Sequence, residues 1–311
     1  MGKTALFFPG QASQYVGMGR DLYDSSPAVR RLYELASAQI GSDIARISFE
    51  GPADELKQTR FTQPAILLHS LAVLVVLDRD LPLFDFAAGH SLGEYAALAV
   101  TGALSFEDAV RAVVKRADLM ERACRQRPGT MAAIIGLDEA QIEQVCRKAA
   151  AAGVVVPANY NSDTQIAVSG TVAGVEAAMA QAKMAGAKRA LMLEVGGAFH
   201  SPLMESARDG LQDYLNDIKI NDPSCPVVPN VTATAVTRGE DIRRLLVAQI
   251  TAPVKWAQTM SLLRESGVTT VLEIGPGKVL SGLAKRDMRP EKMVLLDTLA
   301  DIDQFREVSV S

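Results

Sequence analysis

Short apolar runs ending at glycine or proline alternate along this chain with longer amphipathic or wholly apolar stretches. Residues 4–8 stop at Pro9-Gly10, and residues 86–88 stop at Gly89. Residues 226–229, 268–274 and 293–296 are similar in length and punctuation, so all five are predicted strands. Between them, residues 62–78 are predicted to be helical, with Thr62 as N-cap and Pro64 in the first turn. Residues 92–100 are nearly all apolar and predict a buried helix. Ser105-Phe106-Glu107-Asp108 fits a capping box that opens a helix to about Cys124. Residues 241–250 predict another helix, which must end before Pro253. This alternation predicts an α/β core with a mostly parallel sheet.

The middle of the chain has a different order. Residues 130–135 read as a strand and 138–152 as a helix. Two strands follow at 154–159 and 165–169, then a helix at 172–185 and a strand at 189–195. The order βαββαβ is that of a ferredoxin-like unit. Its edges fall at Arg127-Pro128-Gly129 and Gly196-Gly197. We therefore expect a ferredoxin-like small lobe at 127–196, inserted into an α/β lobe made of 1–126 and 197–311. A length of 311 residues, near the limit for one core, suits such a division. The segment after Asp301 has no assignment.

Composition narrows the functional classes. Apolar residues make up 48% and charged residues 22%, which suits a packed core rather than disorder. The formal net charge of −4 argues against an extended nucleic-acid surface. Cys124, Cys146 and Cys225 lie far apart with no CxxC, which excludes a disulfide framework or a cysteine zinc site. The apolar piece 5–8 is too short for a secretion signal, and the apolar stretch 65–77 is too short to span a bilayer. The expectation is a soluble cytoplasmic protein with no membrane or nucleic-acid partner, most simply a monomer.

Gly89-His90-Ser91-Leu92-Gly93 matches G-x-S-x-G. A predicted strand precedes it and a predicted helix follows, which is the setting of a nucleophile elbow on a hydrolase-like fold. The glycines let a sharp turn expose the Ser91 hydroxyl, and the helix N-terminus aims free N–H groups at the site. The Leu92 N–H can then donate to an oxyanion.

A serine needs a base, and the chain has three histidines: His69, His90 and His200. His90 adjoins Ser91, so its ring should point away from the hydroxyl. His69 lies in an apolar helix and reads as a hydrogen-bonded core residue. His200 follows Gly196-Gly197-Ala198-Phe199, on a loop where the inserted lobe returns, and is the candidate base. No carboxylate is well placed to orient it: Asp138, Asp163 and Glu176 all belong to the inserted lobe. A carbonyl at the end of the helix through Gln249 can take that role, since the last carbonyls of a helix lack intrahelical partners.

On the helix opening at Ser105, Arg111, Lys115, Asp118 and Arg122 form the solvent stripe. Arg116 falls instead with Ala109, Ala112, Val113, Met120 and Ala123 on the apolar face. A guanidinium there costs several kcal/mol unless an anion meets it. Two readings stand side by side: Arg116 pairs with an internal acid or reaches water, or it clamps a substrate carboxylate.

Taken together, these residues resemble the malonyl-CoA:acyl-carrier-protein transacylases of fatty-acid synthesis and the acyltransferase domains of polyketide synthases. Phe8-Pro9-Gly10-Gln11-Ala12-Ser13-Gln14 resembles the family's PGQGSQ motif, with Ala12 in place of a glycine. Residues 89–94 (GHSLGE), 197–201 (GAFHS), 247–256 (VAQITAPVKW) and 273–280 (EIGPGKVL) match further family motifs, and the likeness runs nearly end to end. The resemblance implies catalysis by Ser91 and His200 and an oxyanion hole from the N–H groups of Gln11 and Leu92. It also implies a carboxylate clamp at Arg116 and a histidine-orienting carbonyl at Gln249. His90, Asn161 and Phe199 would line the cleft, with Phe199 favouring malonyl over bulkier groups. Malonyl-CoA would be the donor substrate, acyl carrier protein the partner, and no cofactor or metal would be needed. Lys285, Arg286, Arg289 and Lys292 are candidates for steering an acidic carrier, or else a solvated face. Two rivals remain at this point: a serine esterase or thioesterase, and a catalytically idle carrier-binding subunit.

Overall fold

A computed structural model describes residues 2–310. Its strands are β1 (Lys3–Phe8), β2 (Phe86–Gly89), β3 (Thr130–Ile135), β4 (Val155–Ser162), β5 (Gln165–Gly170), β6 (Arg189–Met192), β7 (Val268–Ile274) and β8 (Lys292–Leu296). They form two four-stranded sheets. The first has the order β2-β1-β7-β8 and is parallel throughout. Its inner strand β1 is apolar and buried on both faces from Ala5 to Phe8, as a sheet covered by helices on both sides requires. The second has the order β4-β5-β3-β6 and is antiparallel throughout. Helices Glu139–Ala149 and Val172–Met184 bury Ile142, Val145, Val175 and Ala178 against one of its faces.

The antiparallel sheet is tied to the rest of the molecule through β4. Strand β4 is stitched to the segment after Pro253, with the Tyr160 N–H on the Val254 carbonyl and the Val254 N–H on the Ala158 carbonyl, both at 2.8 Å. The helices Thr59–Leu77 and Phe106–Gln126 pack together over the parallel sheet.

Several predicted elements differ from those observed. Residues 226–229 form no strand; Val227 makes only isolated bridges, to Ala87 and to Val236. Pro226 and Pro229 have no N–H to extend a ladder. The helix expected to start after Thr62 starts at Thr59, and Pro64 lies inside it. Thr62 caps nothing; its hydroxyl donates back to the Leu56 carbonyl. The longer helix also corrects the membrane argument, because the window from Thr59 to Asp80, of mean hydropathy 1.6, is long and apolar enough to cross a bilayer. Of its most apolar 18-residue window, 83% is buried inside the protein, which makes it a core helix here. Ser105 does cap its helix, accepting from the Asp108 N–H at 3.0 Å, but its hydroxyl then donates to the Asp108 carboxylate instead of completing a box. Strand β6 ends at Met192, short of the expected 195. Helices at Arg20–Ser25, Pro27–Ile40, Ile44–Glu50, Glu205–Asn216, Trp256–Glu265 and Val279–Asp287 lie in stretches left unassigned. Leu299–Val310 is also helical and accounts for most of the unassigned segment after Asp301.

Candidate active site

Strand β2 ends at Gly89, and the helix Gly93–Val100 begins four residues later. Ser91 lies between them with φ 52°, a left-handed conformation that costs a non-glycine residue about 1–3 kcal/mol. The flanking glycines make the turn possible. A Cβ on Gly89 would sit 2.0 Å from the Gly93 carbonyl carbon, and one on Gly93 would sit 2.2 Å from the Phe8 oxygen. Two amide side chains hold the strained residue. Asn230, fully buried, accepts from the Ser91 N–H and donates to the Gly89 carbonyl, each at 2.7 Å. Gln249 donates from Nε2 to the Ser91 carbonyl at 3.0 Å.

The Ser91 hydroxyl lies 2.9 Å from His200 Nε2. His200 Nδ1 lies 2.8 Å from the Gln249 carbonyl, where the helix Gly239–Gln249 ends. An N–H at Nδ1 donating to that carbonyl leaves Nε2 free to accept the serine proton. His200 is buried, and burial, followed by the Arg116 charge, pushes its pKa down to about 3, against the pull of the Gln249 carbonyl. The imidazole is therefore neutral at physiological pH.

Arg116 is 1% exposed. Its Nη1 donates to Gln63 Oε1, and its Nη2 donates to Gln249 Oε1 at 2.9 Å and to the Ser91 hydroxyl at 3.0 Å. All three partners are neutral, and among the described residues no acidic side chain forms an ion pair with it. The internal-acid reading of Arg116 thus finds no contacting partner. Glu94 is the nearby acid, but burial lifts its carboxyl to about 8, although the Asn230 N–H and then the Arg116 charge favour ionisation. Glu94 makes no ion pair with Arg116.

A cavity of about 250 Å³ opens over this cluster, lined on one side by strands β3, β4 and β5 and on the other by the segments that follow β1 and β2. Gln11, His90, Ser91, Leu92, Arg116, Asn161, Phe199 and His200 all line it, whereas Gln249 lies behind Ser91 and His200. The His90 ring turns away from the Ser91 hydroxyl, with Nε2 2.9 Å from Asn161 Oδ1 and its centroid 5.7 Å from that of the tilted Trp256 ring. Ala12 has φ 80°, the region that favours glycine, which gives a physical reason for a glycine in that motif. Arg286 reaches the rim through Gln165 at 3.4 Å, while its charge meets Asp287.

Three further residues of the cluster escaped the sequence reading. Gln63 was masked by its place beside Thr62 and Pro64, and Asn230 by the prolines around it. Glu94 adjoins the serine motif and could have been found as an acid in an otherwise apolar helix.

A serine on a strand–turn–helix elbow, within hydrogen-bond distance of a neutral histidine and beside a substrate-sized cavity, fits the acyl-transfer class of α/β enzymes. The chain belongs to the acyl transferase domain family, whose profile matches residues 6–299. It is 46% identical to the malonyl CoA-acyl carrier protein transacylase of Bacillus subtilis over 94% of this chain and 93% of that one. Among solved structures it is similar to the malonyl CoA-acyl carrier protein transacylase of Coxiella burnetii, at a TM-score of 0.92 and 39% identity over 97% and 96% of the two chains. It matches equally well, at a TM-score of 0.92 and 39% identity over 98% and 99%, a malonyl-transacylase solved in complex with a type II polyketide acyl-carrier protein.

Proposed function

We propose that this protein transfers the malonyl group from malonyl-CoA to the phosphopantetheine thiol of acyl carrier protein, for fatty-acid or polyketide chain extension. The observation that carries the reading is a buried arginine with only neutral partners, one of which is the nucleophile itself. A carboxylate brought to Arg116 supplies the missing anion and delivers the attached thioester to Ser91. A carboxylate one methylene away from the thioester carbonyl is what malonyl-CoA offers and acetyl-CoA lacks.

In this mechanism His200 Nε2 takes the Ser91 proton as Oγ attacks the thioester carbon. The N–H groups of Leu92 and Gln11 receive the tetrahedral oxyanion, at about 3–4 kcal/mol per donor. The C–S bond breaks, and the CoA thiolate leaves with the proton from His200. Malonyl-Ser91 remains, its carboxylate on Arg116. The carrier thiol then enters, gives its proton to His200 and attacks the acyl carbon; the C–Oγ bond of this second tetrahedral intermediate breaks as His200 returns the proton to Ser91. The scheme is ping-pong covalent catalysis and calls for no metal or cofactor.

This reading treats the parallel-sheet region, residues 1–126 and 197–311, as a hydrolase-like lobe. Residues 127–196 are the ferredoxin-like lobe, with the cleft between the two. It takes the protein as a cytoplasmic monomer whose partners are malonyl-CoA and the carrier.

The test is incubation with malonyl-CoA, with and without a pantetheine-armed carrier. Malonyl transfer to the carrier supports the reading. Rapid release of free malonate without transfer would make the protein a thioesterase.

A further inference from the structure

Asp297, just past the end of β8, receives hydrogen bonds from three separate parts of the chain. Its Oδ1 accepts from the Tyr15 hydroxyl at 2.8 Å, and its Oδ2 accepts from the Gly277 N–H at 2.9 Å. His69 Nε2, fully buried in the core helix, lies 3.0 Å from Oδ1 and 2.7 Å from the Asp297 main-chain oxygen. Burial alone would raise this carboxyl, but the contacts with His69, Gly277 and Tyr15 outweigh it and hold it below the usual range.

Tyr15 and Gly277 belong to two segments that shape the cavity. Tyr15 lies on the loop after β1 that carries Gln11 and Ala12, both lining the cavity. That loop holds a non-glycine residue at φ 80°, a conformation that persists only where its surroundings enforce it. Gly277 lies in the turn after β7, just before Val279 and Leu280, which also line the cavity. The two segments also touch directly. A Cβ on Gly275 would fall 2.7 Å from Pro9, and one on Gly277 would fall 3.3 Å from the Ser13 oxygen. Asp297 is thus the shared anchor of both segments, and His69 ties that anchor to the core.

We propose that Asp297, held by His69, is a positioning residue that fixes the Gln11 loop against the Gly275–Gly277 turn and so places the Gln11 N–H on the reacting carbonyl. The inference rests on the reading of Gln11 as an oxyanion donor. It assigns a role to the buried histidine and to the residue 273–280 motif, neither of which the acyl-transfer steps use directly.

The experiment measures single-turnover malonylation of Ser91, and its discharge to a carrier, for the wild type, Asp297→Asn and Tyr15→Phe. Burst amplitude counts the competent sites, and thermal melting reports folding. An oxyanion donor serves both half-reactions, so both rate constants should fall together, about ten-fold in Asp297→Asn and less in Tyr15→Phe. The KM for malonyl-CoA should stay within about two-fold, because the carboxylate clamp is untouched. Tyr15→Phe removes one hydroxyl from a partly exposed ring, so it keeps the test valid if Asp297→Asn does not fold. Wild-type rate constants per competent site in both variants, whatever the melting temperature, would overturn the proposal. Absence of malonyl on Ser91 of the wild-type protein would instead overturn the functional reading, and the proposal with it.

Discussion

Arg116 and Gln249 meet at 2.9 Å beneath the Ser91 hydroxyl, with the Gln249 amide also bonded to the Ser91 carbonyl and its main-chain carbonyl beside His200. One residue thus touches the arginine, the serine and the histidine. Its helix ends there, which leaves the carbonyl free for His200, while the side chain lies back against Arg116 and Ser91.

Removing the guanidinium should separate acyl selectivity from acyl transfer. Arg116→Ala is expected to lower kcat/KM for malonyl-CoA by about a thousand-fold, the scale of losing one partner of a buried charge pair. Acetyl loading should rise at the same time. Intact-mass measurement after parallel incubation with the two thioesters checks this, and unchanged selectivity would sink the clamp assignment.

The acid limb of the pH profile should move when substrate binds. In the free protein His200 is held near 3 by burial and then by the Arg116 charge, so kcat/KM should stay flat down to about pH 4. A malonyl carboxylate on Arg116 offsets that charge and raises the histidine in the complex, so the limb of kcat should lie at higher pH. Stability follows the same group. Its folded pKa is below the ordinary 6.5, so the unfolded chain binds more protons as pH falls from about 6.5 to 3, and the folded state loses stability across that window. Coincident limbs in kcat and kcat/KM would contradict the coupling.

Asn230→Ala should damage the elbow itself. It leaves the Gly89 carbonyl and the Ser91 N–H unpaired in a buried setting, a cost of about 2–4 kcal/mol. Both the melting temperature and the malonylation rate should fall. A variant that melts and malonylates like the wild type would show that the glycines alone hold the turn.

Phe199 is buried and lines the cavity together with Ser91 and His200. Phe199→Ser is expected to widen the space beside the acyl α-carbon and raise methylmalonyl loading relative to malonyl. Competition between the two thioesters, scored by mass, measures the ratio.

The features legible in the sequence have strong local signatures. The elbow is spelled by two glycines around Ser91, and the helical period places Arg116 on the wrong face without any structure. Only three histidines competed for the base, and the βαββαβ order was readable from punctuation. Long-range contacts left no such trace. Asn230 reaches Ser91 across 139 positions, and Gln63 reaches Arg116 across 53, so neither amide is marked by its neighbours. The predicted strand at 226–229 failed because apolar composition cannot replace the N–H groups that proline lacks. The start of the core helix was misplaced because Thr62 looked like a cap while its hydroxyl turns back to Leu56.

The central claim is that Ser91 carries the malonyl group in transit. The most direct measurement is the intact mass of the protein after brief incubation with malonyl-CoA, followed by addition of pantetheine-armed carrier. The account predicts a gain of one malonyl unit in the wild type, lost on carrier addition as the carrier gains it, and no gain in Ser91→Ala. Malonylation that persists in Ser91→Ala, or a carrier that gains malonyl without any acylated protein forming, would contradict it.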